Sequence, residues 1–202
     1  MTLAFGLLTR GEFAEGWKFY LARNDELVLH VSQVCHGVPR WNGEPIQGKT
    51  LLIVSEQGIG DVIQFLRFVP EMEVMGARLI FSAYPDVVGL LANDPEAKKI
   101  EMAPLALSDV DFQARLLDLP LYLGIKTPSD VPKRIPYLFA KPAKVAEWGS
   151  FFAADMGLKV GLVWAGNPAH GSDAFRSASI NIFAPLSGIP DVTFYGLQKG
   201  VG

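Results

Sequence analysis

The chain has 202 residues, of which 50% are hydrophobic and 19% are charged. This composition is typical of a globular protein and argues against disorder, with enough residues for one sizeable core or for one domain and part of another. The 18 Lys and Arg residues against 21 Asp and Glu give a formal net charge of −3, so nucleic acid is not an expected partner.

The start of the chain and its cysteine content bear on the compartment. Residues 1–13 contain an apolar run without a preceding basic stretch or a following cleavage pattern, and no run of about 18 apolar residues occurs anywhere. The lone Cys35 cannot form an internal disulfide. We therefore expect a cytoplasmic protein without a membrane span. His30 and His36 flank Cys35, but no further ligand completes a set, so we expect no metal site.

The first part of the chain is predicted to be helical. Apolar side chains recur at helical spacing on both sides of the sequence TRG at 9–11, which predicts a helical hairpin over residues 1–24. Such a pair buries one face by docking on the next domain or by ending a stack of similar pairs. Residues 25–48 are predicted to form a linker, rich in Gly and Pro and anchored by Trp41.

From residue 49 onward, strand and helix patterns alternate. Residues 50–55 (TLLIVS) predict a strand buried on both faces of a parallel sheet. Further strands are predicted at 77–83, 98–102, 110–116, 159–166 and 192–198, and helices from 62 onward and at 85–93, 116–124, 143–155 and near 181–188. This alternation indicates a doubly wound α/β fold, with one α/β domain over 49–157 and the incomplete start of a second over 158–202.

Pro70 and three tryptophans allow more specific predictions within these elements. Pro70 should kink or end the first helix of the α/β domain. Trp41, Trp148 and Trp164 fall in linker, helix and strand patterns respectively, and we expect all three to pack in the core.

A glycine-rich turn, SEQGIGDV at 55–62, follows the first strand. Ligands of open α/β sheets bind beyond the carboxyl ends of the strands, so this turn is the expected site. Gly58 and Gly60 could adopt positive φ and approach a ligand closely. The dinucleotide fingerprint would need a third glycine where Ile63 stands, and the Lys-Ser/Thr ending of a P-loop is absent, so both nucleotide motifs fail.

Asp61 is the chemically distinctive residue of this turn. A carboxylate at the start of a helix is stabilised in its anionic form, and beside a pocket it can accept the proton of an attacking sugar hydroxyl. The alternative is that Asp61 only caps the helix, which is the commoner role of aspartate at such a position. The spacing alone leaves both interpretations open.

The sequence GKTLLIVSEQGIGDVIQFLRFVP at 48–70 resembles the opening strand and loop of glycosyltransferase family 9, the heptosyltransferase-like enzymes with the GT-B fold. The sequence KVGLVWAGNPAHGSDAFRSASI at 159–180 is similar to the opening of the second domain in bacterial tetratricopeptide-repeat (TPR) proteins fused to such a module. Residues 7–23 and 39–52 are similar to the last repeat hairpin and the linker of those fusions.

The resemblance implies a Rossmann-like GT-B amino-terminal domain on the acceptor side. Asp61 would be the base that activates the acceptor, and Gln57, Gly58 and Gly60 would shape the acceptor side of the cleft. The donor would be a nucleotide-diphosphate sugar, the acceptor a glycan, lipid or protein, and no metal or other cofactor would be required. The TPR-like helices would offer a surface for protein partners.

The resemblance also places a second loop, at 164–177, at the interdomain cleft. Arg176 would neutralise the donor diphosphate, and Asn167, His170 and Ser177 would hydrogen-bond to it. The alternative for each is an ordinary solvated loop residue. Related enzymes commonly carry a lysine in this loop, whereas this chain has Ala169.

The glycosyltransferase interpretation has one consequence for activity and leaves two rival hypotheses. If the donor domain is incomplete, the chain alone should be weakly active or inactive, and the unfinished edge of its second sheet could support a homo-oligomer. The rival hypothesis is a non-catalytic, TPR-associated protein-interaction module, which Ala169 favours. A nicotinamide-dependent oxidoreductase is a third hypothesis, and Ile63 argues against it.

Overall fold

The computed structural model describes residues 1–23, 37–82, 87, 101–102 and 109–200. The chain divides into two compact units, Met1–Ala140 and Lys141–Gly202. Each unit contains one sheet, and the paired strands of both sheets run parallel, so the fold is mixed α/β. The predicted helix at 85–93, apart from Val87, lies outside the described residues.

The first unit opens with the two helices that the sequence predicts. Helix α1 (Thr2–Thr9) and helix α2 (Phe13–Tyr20) are joined by a turn in which Gly11 has φ +80°. Ala4 of α1 and Tyr20 of α2 are buried, while Phe5 and Phe19 are about half exposed. The helices therefore pack as a hairpin with one apolar face turned toward the rest of the unit.

Close packing of α1 on α2 depends on the absence of a side chain at Gly16. A Cβ placed there would lie 2.6 Å from Leu8 Cδ2 and 3.2 Å from the Leu8 backbone nitrogen. We expect Gly16→Ala to lower the free energy of unfolding by about 1–3 kcal/mol, because α2 must move away from α1. Urea unfolding monitored by tryptophan fluorescence measures this loss.

Gly6→Ala is the matched control for Gly16→Ala. Gly6 lies in α1, and a Cβ there would meet no atom within 4 Å. Because alanine has the higher helix propensity, this change should raise the free energy of unfolding by about 0.5–1 kcal/mol. If both substitutions changed the free energy of unfolding in the same direction, a packing role for Gly16 would be contradicted.

The sheet of the first unit has four parallel strands in the order β3-β2-β1-β4. They are β1 (Thr50–Val54), β2 (Arg78–Ser82), β3 (Glu101–Met102) and β4 (Phe112–Arg115). Strand β1 lies between β2 and β4, and all five of its residues are buried. This confirms the prediction of a strand covered on both faces.

Short helices connect the strands. Helix α3 (Ile59–Phe65) follows β1, and a 3₁₀ turn at Leu66–Phe68 separates it from α4 (Val69–Val74). Pro70 lies in the first turn of α4, where its missing N–H costs no helical hydrogen bond, so the predicted break occurs just before the proline. After β4, a 3₁₀ turn at Leu116–Asp118 leads into α5 (Leu119–Tyr122), and another turn covers Pro128–Asp130.

The main core lies on one face of this sheet. Alternate strand residues point to opposite faces. One cluster contains Tyr20 of the hairpin, the core-facing residues of β1 and β2, and the buried residues of α3 and α4. Besides Tyr20, these are Leu51 and Ile53 of β1, Leu79 and Phe81 of β2, Val62 and Phe65 of α3, and Val69 and Met72 of α4. Trp41 is also buried there, with its backbone N–H donating to Gln113 O at 2.8 Å, as its predicted anchoring role requires.

The second unit contains α6 (Pro142–Phe152), β5 (Leu158–Leu162) and β6 (Val192–Gly196). Two 3₁₀ segments, Asp173–Phe175 and Ile180–Gly188, lie between the strands. The predicted helix at 143–155 is present, but none of its residues is buried. The core position predicted for Trp148 is therefore wrong: its exposed fraction is 52%, and its ring contacts Phe151 and Phe152.

A polar contact ties the end of α6 to β6. The Tyr195 hydroxyl donates to Asp155 Oδ2 at 2.7 Å, and the Gly157 N–H donates to Oδ1 at 3.0 Å. The hydrogen bond from Tyr195 is the largest cause of a pKa of Asp155 below its usual range. Asp155 thus stays ionised at neutral pH and fixes the connection into β5.

Candidate functional site

The strand order predicts a crevice at the carboxyl ends of β1 and β4. The chain proceeds from β1 outward to β2 and β3, and then returns to place β4 on the other side of β1. Such a reversal of direction opens a crevice beyond the strand ends, where open α/β sheets bind their ligands. Val54 of β1 and Arg115 of β4 are register partners at this edge. The turn at 55–62 leaves from the same edge.

The turn is shaped differently from the sequence-based expectation. The positive φ falls on Gln57, at 64°, whereas Gly58 is extended with φ −80° and Gly60 lies in α3. The expectation that Gly58 and Gly60 adopt positive φ is therefore wrong. A Cβ at position 58 would make a tight contact of 3.2 Å with Asp61 Oδ2.

Asp61 is exposed in the first turn of α3. Its Oδ2 accepts a hydrogen bond from the Gly58 N–H at 3.0 Å, which is the capping arrangement. In the part of the chain that the structure describes, Oδ1 has no hydrogen-bond partner. The carboxylate is thus held in place by one oxygen and leaves the other for a ligand.

Asp61 lines a groove of about 390 Å³ between the hairpin and α3. Aromatic side chains of the hairpin form one wall, and α3 with the following turn forms the other. The residues that line the groove are Phe5, Leu8, Thr9, Phe13, Trp17, Tyr20, Asp61, Gln64, Phe65, Arg67, Phe68 and Val131. A volume of about 300–1,000 Å³ with few polar groups among apolar ones is typical of small-ligand sites.

The guanidinium of Arg67 is held at the side of this groove. Its Nε donates to Gln64 O at 2.9 Å, and Nη2 donates to the Tyr137 hydroxyl at 3.1 Å. Its Cζ also lies 5.0 Å from the centre of the Tyr137 ring. These contacts orient the side chain and use part of its hydrogen-bonding capacity.

A buried ion network lies beside the turn and joins the hairpin to both strand ends. Arg23, three residues after α2, donates from Nη2 to Asp118 Oδ1 at 2.6 Å and pairs with Glu56 through Nη2 and Nε. Its Nη1 donates to Tyr20 O at 3.0 Å. Arg115 Nη1 lies 4.0 Å from Glu56. Arg23 therefore ties the end of the hairpin to acidic groups in the segments that follow β1 and β4.

The network changes the ionisation of its neighbours. Burial alone would lower the pKa of Arg23, but the hydrogen bonds and charges of Glu56 and Asp118 outweigh it and raise that pKa. Burial also raises the pKa of Tyr20, with contributions from nearby charges that include Asp61. Arg23 is thus a permanent cation, and Tyr20 is a neutral phenol beside the groove.

Sequence reasoning did not find this network, although a signal was present. Glu56 lies two residues after the buried strand β1, and Asp118 interrupts the apolar run LLDLPL. Acidic side chains in such positions are almost never fully buried unless they are paired. Two acids at the ends of buried strands could have prompted a search for a partner cation, but the sequence does not show which one.

In the second unit, the four predicted donor-contacting residues lie together in the loop after β5, and most of them are bonded within it. Ser177 Oγ accepts from the Gly166 N–H at 2.8 Å and donates to Asp173 Oδ1 at 2.6 Å. Asn167 Oδ1 accepts from the Ala169 N–H at 3.0 Å, and His170 Nδ1 accepts from the Ser172 N–H at 3.1 Å. These side chains shape the loop.

Arg176 is the exposed cation of this loop. Its guanidinium packs over the backbone at Gly166, where a Cβ would lie 3.0 Å from Arg176 Nε. The N–H groups that leave β5 are already used, since Gln198 Oε1 accepts from Trp164 N at 3.2 Å and from Ala165 N at 3.1 Å. The contact of Arg176 with a donor stays a prediction.

Within the described ranges, no group of three or more His, Cys, Asp or Glu side chains is arranged to hold a metal ion. His30, Cys35 and His36 lie outside those ranges. No helix of the described residues is long and apolar enough to cross a membrane.

Comparison with known proteins gives one distant relative. Protein FlbA of Caulobacter vibrioides is 28% identical over 213 residues, which cover 96% of this chain and 36% of FlbA. The chain thus spans about a third of the length of the relative it matches. No family model matches the chain, and no solved structure matches it.

Proposed function

We propose that this chain is the acceptor-side part of a glycosyltransferase-like protein of the GT-B type. The observation that carries the proposal is the position of Asp61. It lies at the first strand-to-helix turn, beside the crevice of a parallel sheet, and on the wall of a groove of about 390 Å³. The sequence resemblance at 48–70 and the strand order β3-β2-β1-β4 both support a Rossmann-like domain.

In this scheme Asp61 is the general base. Its free carboxylate oxygen accepts the proton of an acceptor hydroxyl, and the hydroxyl oxygen forms a bond to the anomeric carbon of the donor sugar. The bond between that carbon and the diphosphate oxygen breaks with inversion, and the diphosphate departs with the electron pair. The hydrogen bond from the Gly58 N–H holds Asp61 in place during the transfer.

In this scheme the second unit supplies residues that bind the donor. Arg176 supplies a positive charge for the diphosphate, while Asn167, His170 and Ser177 keep the loop in shape. Since cationic side chains can stabilise the leaving group, the scheme needs no metal ion and no further cofactor.

A transfer assay tests this proposal. The full protein that contains this chain is incubated with radiolabelled UDP-, GDP-, ADP- and dTDP-sugars, an extract of the cells that make it, and EDTA. We expect label to be incorporated from one donor, with release of the matching nucleoside diphosphate. Lack of incorporation from every donor, with and without added Mg²⁺, would refute the proposal.

A specific observation favours a second candidate, a non-catalytic interaction module. The buried network of Arg23, Glu56 and Asp118 fixes the hairpin to the segments that follow β1 and β4, and Asp61 has a capping role that needs no catalysis. Ala169, where related enzymes commonly carry a lysine, points the same way. Under this alternative the hairpin and α3 form a binding surface, and no donor is turned over.

A further inference from the structure

We propose that the groove between the hairpin and α3 binds a free α-amino acid with a large apolar side chain. Asp61 takes its ammonium group, Arg67 takes its carboxylate, and the aromatic wall of the hairpin takes its side chain. The ammonium would occupy the carboxylate oxygen that the proposed general base needs, so the amino acid would exclude an acceptor from the site. This inhibition rests on the proposed function, whereas the binding itself does not.

Two opposite charges lie in the groove without forming an ion pair with each other. Within the described residues, Asp61 makes one hydrogen bond, from the Gly58 N–H, and Arg67 makes two, to Gln64 O and to the Tyr137 hydroxyl. Three of the five guanidinium N–H groups therefore remain for a ligand. A neutral ligand would displace water from both ions and supply no opposite charge. A zwitterion supplies one for each.

The spacing of the two charges suits an ammonium and a carboxylate on one carbon. Asp61 lies in α3 and Arg67 in the 3₁₀ turn that follows it. At about 1.5–2.0 Å per residue, their Cα atoms are roughly 10 Å apart along the axis. Arg67 turns back to Gln64 O, which brings its guanidinium nearer to Asp61. Two charge-assisted hydrogen bonds of about 2.8 Å and a short link between them span a gap of this order.

The uncharged polar groups of the groove are compatible with the same ligand. They are Thr9, the Tyr20 hydroxyl, Gln64 and Trp17 Nε1, of which the last is buried without a hydrogen-bond partner among the described residues. An ammonium has three donors and a carboxylate about four acceptor sites, more than the two charged side chains use. A saccharide would match these four groups as well. The choice between the two ligands therefore rests on the pair of charges.

The hairpin supplies an aromatic wall for the side chain of the amino acid. Trp17 lies 5.6–6.0 Å, between ring centres, from Phe13, Tyr20 and Phe65. A phenyl ring packs favourably against such rings in edge-on or offset positions. The groove of about 390 Å³ has the size of a small-ligand site. Phenylalanine is thus a suitable probe.

Saturation-transfer difference NMR of the full protein tests the binding with five probes. They are L-phenylalanine, N-acetyl-L-phenylalanine without the ammonium, L-phenylalaninamide without the carboxylate, glycine without the apolar side chain, and maltose as a saccharide. We expect L-phenylalanine to bind at millimolar concentration, with its ring protons most strongly saturated. Each of the other probes should bind at least about 10-fold more weakly.

Substitution of each charged residue should remove the preference for one group of the ligand only. Asp61→Asn should weaken L-phenylalanine about 10-fold and abolish its advantage over the N-acetyl derivative, while the amide stays weaker. Arg67→Gln should abolish the advantage over the amide and keep that over the N-acetyl derivative. Asp130→Asn is the matched control, because Asp130 is an exposed aspartate at the start of a short helix outside the groove lining. It should leave the affinity unchanged.

Two exposed phenylalanines of the hairpin supply matched variants for the wall. Phe5 lines the groove and is 53% exposed, whereas Phe19 is 46% exposed and is not part of the lining. Phe5→Ser should weaken L-phenylalanine about 3- to 10-fold, and Phe19→Ser should leave its affinity unchanged. A cooperative urea unfolding curve shows that each variant is folded.

Each outcome decides the inference. Binding of maltose and not of L-phenylalanine would replace the amino acid with a saccharide, and no binding of any probe would overturn the site. Equal binding of L-phenylalanine and its two derivatives, or equal effects of Asp61→Asn and Asp130→Asn, would overturn the pairing of charges. Binding of L-phenylalanine by a protein that transfers no sugar would refute the proposed function alone, and transfer without this binding would refute this inference alone.

Discussion

Replacement of Arg23 by methionine is expected to lower the free energy of unfolding of the first unit by about 3–5 kcal/mol. The guanidinium is buried, with 1% of its side chain exposed, and it pairs with two acids that are almost as deeply buried. Methionine fills a similar volume but cannot donate hydrogen bonds. Glu56 and Asp118 would then remain as buried charges without this cation.

The expected loss is large because removing one partner of a buried ion pair costs more free energy than forming the pair contributes. Forming such a pair gives little net stability, because each ion first loses its hydration. Removal of one partner does not return that hydration to the other. Arg115 Nη1 lies 4.0 Å from Glu56, farther than the 3.3 Å between Arg23 Nε and Glu56 Oε2, so it compensates only in part for the loss of Arg23.

Urea unfolding monitored at the tryptophans of the first unit measures this loss. Arg10→Met is the matched control, because Arg10 pairs with Glu12 at 2.8 Å while 76% of its side chain is exposed. The control should cost no more than about 1 kcal/mol. Arg23→Lys should fall between the two, since lysine keeps the charge but cannot contact both acids and Tyr20 O in the same fork geometry. A loss for Arg23→Met no larger than that of the control would contradict a structural role for the network.

The first strand and the turn after it could be predicted because local sequence determines them. Residues 50–54 are all apolar or small, and their unbroken run fits a strand covered on both sides. The turn that follows must leave the carboxyl end of that strand, so the position of Asp61 followed from chain order alone. The hairpin helices were equally local, since spacing within 20 residues predicts both.

The docking of the hairpin could not be predicted, because it depends on residues far apart in the chain. Arg23 and Asp118 are separated by 95 positions, and no spacing rule connects them. The same limit applies to the groove, whose walls come from residues 5–20 and 61–68. For Trp148 the periodic pattern gave the helix correctly, but a pattern does not specify which surface will cover its apolar face. The positive φ at Gln57 also departed from the usual preference for glycine.

Replacement of Asp61 by asparagine is expected to reduce sugar transfer by the full protein about 10²- to 10⁴-fold, which is the usual contribution of a general base. Asparagine has nearly the same shape, and its side-chain oxygen can still accept the hydrogen bond from the Gly58 N–H. The amide cannot take up a proton from the acceptor hydroxyl. The change therefore removes the proposed chemistry while keeping the cap.

Asp130→Asn is the control that separates catalysis from capping. Asp130 is an exposed aspartate in the first turn of a short helix, where its Oδ2 accepts from the Thr127 N–H at 2.8 Å, much as Asp61 accepts from Gly58. It is not part of the groove lining. Asp130→Asn should lose at least as much stability as Asp61→Asn, because Asp130 Oδ2 also accepts from the Lys126 N–H and the Thr127 hydroxyl, both at 3.0 Å.

Only Asp61→Asn should then reduce transfer at saturating donor and acceptor, with the KM for the acceptor retained. That combination would mean that Asp61 acts on the proton and not on the shape of the groove. Equal activities of the two variants would mean that the carboxylate of Asp61 serves the helix alone, which is the role that the interaction-module hypothesis assigns to it.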